Sequence, residues 1–390
     1  MKGRKLLMIP GPIEFDPEVM QSMAIPTPSH VDPDFIATFG RSLEMMRRVC
    51  QCPSGQPFIL AGTGTLAMDS VGACLTEPGD LVLVISTGYF GERYAELLKR
   101  YGAVVDILRA ETGNMVPLAT VEARLREKKY KMMTFTHVDT STAVLNDARA
   151  LGALGQKYDV LTVLDGVCSV AGEEIRQQEW GIDVVLTASQ KAIGVPPGLA
   201  LFVVSPKAME AFKNRRTPVA NYYGDWAHWL PIMQAYENRE PSYFGTPAVN
   251  LIIALEKSLD LILKEGLEER FHRHRRTGQA FRAAMTALGL KMIPTSESLS
   301  ANTLSAPYYP EGMKAADLLG HIAGAGIIVA GGLLPDIKGQ YFRVGHMGVV
   351  NRNDLLATAD AIETALRKCG ASLETGTAAR TIHQVLDGRV

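Results

Sequence analysis

Between residues 56 and 204, short apolar runs alternate with stretches whose apolar residues recur three and four apart. The runs Pro57–Ala61, Leu81–Ser86, Val104–Leu108, Met132–His137, Val160–Asp165, Val184–Ala188 and Leu199–Val204 are short and bounded by turn residues, which predicts strands. Between them, Arg93–Tyr101, Leu118–Lys128 and Ala148–Tyr158 carry the spacing of amphipathic helices. Such alternation predicts an α/β protein with a mainly parallel, seven-stranded sheet between helices.

After Pro247 the pattern changes. Long helical stretches, Ala248 to about Glu265 and Glu268 to Leu288, precede shorter strand candidates at Thr303–Ala306, Gly326–Val329 and Tyr341–Val344. A helix follows from Arg352 to about Arg367. We expect an N-terminal segment (1–24), a large domain (25–265) and a smaller C-terminal α/β domain (266–390), with the boundary near Gly266. The last twenty residues read equally as a frayed tail or a docked helix. No internal repeat or low-complexity tract is visible.

Composition narrows the class. With 47% apolar and 21% charged residues, 390 positions are enough for a sizeable core. Forty basic residues balance 41 acidic ones, so no net field recruits nucleic acid or an anionic membrane. The basic run Arg270-Phe271-His272-Arg273-His274-Arg275-Arg276 reads as the solvated face of a helix. Five cysteines, an odd number, argue against a disulfide framework. Cys50 and Cys52 have no second pair and no histidines at ligand spacing, so no metal is expected. No apolar run spans a bilayer. Met1-Lys2-Gly3-Arg4-Lys5 enters Leu6-Leu7-Met8-Ile9 at once, and Asp387-Gly388-Arg389-Val390 is not a Ser-Lys-Leu type terminus. A cytoplasmic protein is the expectation.

The most informative residue is Lys191, between the apolar runs Ile182–Leu186 and Leu199–Val204. A lone lysine at a strand end ordinarily reaches solvent. An ammonium held between inner strands is costly, and desolvation lowers its pKa until the free amine can condense with an aldehyde. Asp165 closes another apolar run 26 residues earlier, at the carboxyl-end crevice where open α/β sheets bind ligands. A lysine for a Schiff base and an acid for a pyridinium nitrogen are what pyridoxal phosphate requires.

These residues sit among six ordered motifs. They are Ala61-Gly62-Thr63-Gly64-Thr65, Thr136-His137-Val138-Asp139-Thr140-Ser141-Thr142-Ala143-Val144-Leu145, Asp165-Gly166-Val167-Cys168-Ser169, the Lys191 segment, Tyr243-Phe244-Gly245-Thr246-Pro247 and Arg343-Val344-Gly345-His346-Met347-Gly348. With Ile9-Pro10-Gly11-Pro12 they resemble the class V, fold-type I aminotransferases, closest to the alanine–glyoxylate (serine–pyruvate) group. The resemblance runs to about Leu366.

It implies a role for each matching position. Thr63, Gly64 and Thr65 would hold the cofactor phosphate, with Thr65 where many relatives carry histidine. Phe90 would stack on the pyridine ring, Tyr89 being the neighbouring candidate, and Val167 would press the other face. Thr140, with Thr142 as alternative, would contact the ring region, and Gln190 the phosphate. Tyr243 and Thr246 would reach the phosphate of a neighbouring subunit, which implies a homodimer with shared sites. Arg343 would bind the substrate carboxylate as a bidentate fork. Ile9–Pro12 would fold over the site.

The implied reaction is ping-pong transamination of alanine and glyoxylate to pyruvate and glycine, with Lys191 as Schiff base and general acid/base and Asp165 holding the ring nitrogen. Serine or another small amino donor is the enzymatic alternative. Cysteine desulfurases share the fold class but need a catalytic cysteine in the small domain, and Leu290–Asp336 contains none. A non-enzymatic scaffold would not need Lys191, Asp165 and Arg343 together.

Overall fold

The computed structural model describes residues 5–388. In chain order the first strands are β1 (Leu6–Leu7), β2 (Gln56–Ala61), β3 (Leu81–Ser86), β4 (Val104–Arg109) and β5 (Met132–Thr136). A small hairpin, β6 (Val138–Asp139) and β7 (Val144–Leu145), follows β5 directly. Then come β8 (Leu161–Asp165), β9 (Val184–Ala188) and β10 (Leu199–Val204).

Seven of these form the central sheet, in the order β2-β10-β9-β8-β5-β3-β4. They are the seven strands that the apolar runs predict. β10 runs antiparallel to both neighbours, and the other adjacent pairs are parallel. Every residue of β5, β8, β9 and β10 is buried, because helices cover both faces and leave no side for polar alternation. Parallel neighbours need crossovers, and the helices Tyr89–Arg100, Leu118–Glu127 and Ala148–Lys157 supply them. β4 lies on one side of β3 and β5 on the other, so the strand order reverses between β3 and β5. The crevice outside their carboxyl ends is where such a sheet binds ligands.

A second apolar core gathers Phe281, Met285, Leu318, Ile322, Phe342, Val344 and Ile362. Its strands are β11 (Leu304–Ser305), β12 (Ile327–Ile328), β13 (Ala330–Gly331) and β14 (Phe342–Gly345). β14 lies antiparallel between β11 and β13, while β1 pairs in parallel with β12. Met8 is fully buried in this second core, so the first strand of the chain packs with its last third.

Of the two readings of the last twenty residues, the docked helix is the one found. Thr377–Leu386 packs on the helix Leu267–Ala287 with Ala378 and Ile382 buried. Its first amides have a borrowed cap, because the Glu363 carboxylate accepts from Gly376 N (2.6 Å) and Ala378 N (2.9 Å).

The reading of residues 270–276 as a solvated face needs correction. His272, Arg275 and Arg276 are exposed, but Arg270 and His274 are buried. Arg270 donates to Ala171 O (2.8 Å), Ala192 O (2.8 Å) and Glu265 (2.7 Å). His274 Nδ1 donates to Arg270 O (2.8 Å), and its Nε2 accepts from Gly348 N (3.0 Å). The helix touches the loops that carry Ala171 and Ala192 as well as the C-terminal helix, so charge in its sequence did not mark its exposed side. No described helix is long and apolar enough to cross a membrane. Met1–Arg4 and Arg389–Val390, on which the expected compartment partly rests, lie outside the described residues.

Truncating Ile382 to alanine removes a fully buried anchor of the terminal helix. The expected loss is about 3 kcal/mol of unfolding free energy, read from urea denaturation. A change below about 0.5 kcal/mol would mean that the helix does not contribute to the core.

Candidate active site

The carboxyl ends of β5, β8 and β9 converge on a cavity of about 180 Å³. Thr63, Gly64, Thr65, Phe90, Thr140, Asp165, Val167, Gln190 and Lys191 all line it. These nine residues come from five separate stretches of chain, and the fold brings them together.

Asp165 ends β8, where its Oδ1 accepts from Val167 N (3.0 Å) and turns the chain sharply after the strand. That is the one hydrogen bond of its carboxylate among the described residues. Burial pushes the Asp165 carboxyl up to about 7; the Val167 amide favours the charged form, and the Asp139 carboxylate opposes it. The site would therefore accept a cationic donor at that carboxylate.

Lys191 lies three residues beyond β9 in a loop pinned at its base. Ser189 N donates to Leu199 O (3.1 Å), Ser189 Oγ donates to Pro196 O (2.8 Å), and Gly194 N donates to Lys191 O (2.8 Å). The Lys191 side chain is 9% exposed, and Nζ donates to the Pro10 carbonyl. Burial pulls its pKa down, the Arg343 guanidinium pushes the same way, and Asp165 opposes. The segment Ile9–Pro12 thus closes over the lysine. Ile13 N donates to Gln190 O (3.3 Å), and Gly345 N donates to Met8 O (2.8 Å). Gly11 has a φ of +120°, and a Cβ there would lie 2.7 Å from Lys191 Cδ, so only glycine fits.

Thr63 begins the helix Gly64–Leu75 without a side-chain cap. Its first amides are therefore available to an anion at the start of a twelve-residue helix. Beside them, Gln190 Oε1 is buried with no hydrogen-bond partner among the described residues, as is Thr136 Oγ1. Buried polar atoms of this kind are rare unless something polar binds there. A phosphorylated pyridine with an aldehyde fits this donor set: amides for the phosphate, a carboxylate for the ring nitrogen, an amine for the aldehyde.

The neighbouring candidates at two positions lie in different places. Phe90 lines the cavity, whereas Tyr89 faces the neighbouring cleft. Thr140 lines the cavity too, whereas Thr142 Oγ1 donates to Thr87 O (3.1 Å) and braces the turn. Phe90 is held by Asp139, whose Oδ2 accepts from Phe90 N (3.0 Å). Ser141 Oγ accepts from Tyr89 N (3.0 Å), so the turn after β6 caps the Tyr89–Arg100 helix.

Three predicted residues lie outside this cavity. Arg343 sits on β14, where Nε donates to Gly331 O (2.9 Å) and Nη1 to Thr140 O (3.1 Å), at the cavity's rim. Tyr243 is 62% exposed, and its hydroxyl lies 3.5 Å from Thr246 Oγ1. This pair does not meet the cavity of its own chain. Gly11, from the segment expected to fold over the site, lines the cavity, whereas sequence reasoning missed Met68, Arg93, Thr136, Val138 and Cys168 as lining residues. Arg93 was within reach, lying one helical turn after Phe90; Thr136 is the strand partner of Asp165.

A crevice at the strand-order reversal with a buried amine, a buried acid and a helix start offers the groups that a phosphorylated pyridine aldehyde requires. The family model "Aminotransferase class-V" matches residues 32–334. Alanine–glyoxylate aminotransferase 1 of Saccharomyces cerevisiae is 38% identical over 385 residues, covering 94% of this chain and 99% of that protein. Serine–glyoxylate aminotransferase of Arabidopsis thaliana is 31% identical over 380 residues, covering 96% and 93%. The crystal structure of ureidoglycine–glyoxylate aminotransferase from Bacillus subtilis superposes with a TM-score of 0.92 at 27% identity, covering 99% of both chains. The chain belongs to the class V aminotransferases, a pyridoxal-phosphate-dependent family.

The raised Asp165 carboxyl makes a test that needs no turnover. A carboxyl pKa raised by folding means that the native state binds more protons than the unfolded chain between about 4 and 7, so stability falls as pH rises through that window. In cofactor-free protein, Asp165→Asn removes this penalty. Its melting temperature is expected to match the wild type near pH 4 and to exceed it increasingly up to about pH 7. Parallel melting curves at every pH would contradict the assignment.

Proposed function

We propose that this chain transfers the amino group of alanine to glyoxylate, giving pyruvate and glycine, by ping-pong chemistry. One observation carries the reading: a desolvated amine, Lys191, and a desolvated acid, Asp165, line one cavity at the carboxyl ends of parallel strands. The 38% identity to an alanine–glyoxylate enzyme supports the choice of substrates, with serine, the donor named for the Arabidopsis relative, as the competitor.

Pyridoxal phosphate, when bound, supplies the aldehyde that takes up the amino group and the ring that accepts the electron pair. The roles of the chain's own residues follow from where they sit. Lys191 Nζ, whose pKa burial lowers, would carry the cofactor between turnovers and, when displaced, accept the Cα proton of the donor. The same nitrogen would then deliver a proton to the cofactor carbon that had been the aldehyde, not back to Cα, so it would serve as both base and acid. Asp165 holds positive charge at the ring nitrogen, since a carboxylate in so dry a place is stabilised by a cation. Phe90 and Val167, which both line the cavity, would confine the ring between them, and Thr140 would contact the ring region. The amides at Thr63, Gly64 and Thr65 take the phosphate together with Gln190. Arg343 receives the carboxylate common to donor and acceptor.

Tyr243 and Thr246 act, in this reading, across a two-fold interface on the phosphate held by a second copy, so that a homodimer completes both sites. Their exposure and their absence from their own chain's cavity support that role.

Initial rates with alanine, serine and other amino acids against glyoxylate and pyruvate test the substrates. Alanine with glyoxylate is expected to give the highest kcat/KM, and serine in first place would overturn the donor. Lys191→Ala is expected to cut turnover by about 10³-fold or more while leaving the melting curve cooperative. Retention of full activity would remove lysine from the chemistry.

A further inference from the structure

Tyr341 is a buried phenol that no step above uses. Its oxygen donates to Ser141 O (2.6 Å) and accepts from Leu333 N (2.8 Å) and Leu334 N (2.8 Å), which saturates a phenolic hydroxyl. It thereby joins the loop after β13 to the turn between β6 and β7. Its ring fills the space under that loop, since a Cβ at Gly332 would lie 2.7 Å from Tyr341 Cε1.

Two residues later, Arg343 reaches the same turn by donating to Thr140 O (3.1 Å). In extended chain, residues two apart share a face, so Tyr341 and Arg343 grip adjacent carbonyls, Ser141 and Thr140, side by side. Gly331 O fixes Arg343 Nε (2.9 Å), while Nη2 has no hydrogen-bond partner among the described residues and stays available to a ligand. The other side of the turn is equally fixed, because Ser141 Oγ holds Tyr89 N and Asp139 holds Phe90 N.

We propose that the Tyr341 hydroxyl is a positioning group that locks β14 onto the Thr140–Thr142 turn and so sets where Arg343 meets the substrate carboxylate. It touches neither substrate nor cofactor. The proposal rests on the reading of Arg343 as the carboxylate-binding residue. Losing the hydroxyl frees Ser141 O and two loop amides together, so the strand carrying Arg343 shifts against the cofactor while Lys191 and Asp165 keep their own supports.

The test compares Tyr341→Phe, Arg343→Gln and the double variant as holoenzymes. In Tyr341→Phe the apparent KM for the amino donor and the dissociation constant for propionate, an unreactive carboxylate, are expected to rise about tenfold, with kcat falling much less. The cofactor absorption band should be unchanged, and the Leu333 and Leu334 amides should exchange hydrogen faster. The double variant should bind propionate no more weakly than Arg343→Gln alone, because Tyr341 acts through Arg343. If Arg343→Gln weakens propionate and Tyr341→Phe does not, or if their effects add fully, the positioning role is wrong. If Arg343→Gln leaves propionate binding intact, the carboxylate reading of Arg343 fails and this proposal with it. Should Tyr341→Phe not fold, Leu334→Pro removes one donor to the hydroxyl at a φ of −63° that proline adopts. It is then expected to weaken propionate about threefold, and unchanged affinity would overturn the proposal.

Discussion

Taking an amine out of water is the constraint around which this molecule is arranged. Lys191 hangs from a loop at the end of β9, among strands with no exposed residue. Its ammonium form is penalised there, and the nearest fixed partner is a carbonyl, not a carboxylate. That partner, Pro10, belongs to a segment whose neighbours Leu6–Leu7 pair with β12 in the second core. The reactive end of Lys191 is thus enclosed by the first sheet on one side and by chain anchored in the second core on the other. A lysine so placed is poised to trade its proton for a covalent partner.

The turn from Asp139 to Thr142 is the second organising element. Its side chains cap the Tyr89–Arg100 helix, which aims Phe90 into the cavity. Its carbonyls receive Tyr341 and Arg343, at the start of β14. One tight turn therefore relates the surface that would face the ring to the guanidinium that would face the substrate. Asp139 is fully buried, and burial raises its pKa while three amides and a hydroxyl oppose that rise. It works as a cap for backbone donors, and the chemistry proposed here falls to Asp165.

Much of this is visible in the chain before it is folded. The seven sheet strands are legible as short, largely apolar runs, with Asp165 the charged residue that closes one of them and Lys191 three residues beyond the end of another. The nine cavity residues follow from motifs at strand ends and helix starts, where backbone geometry is dictated locally. What escapes is set by tertiary contact. Nothing in a run of basic residues says that Arg270 and His274 will be buried against loops from the other core. Tyr341 looks like one more aromatic near a strand, and only the folded chain shows its hydroxyl between Ser141 and the loop amides. The pairing of β1 with β12 joins residues more than 300 apart, a distance over which periodicity carries no information.

The central claim is that residue 191, out of all the lysines, carries the cofactor. Borohydride reduction of the purified yellow protein, followed by digestion and peptide mass mapping, addresses it directly. The account requires a pyridoxyl mass on the peptide containing Lys191 and on no other. An adduct on a different lysine, or protein that never acquires one, would contradict it.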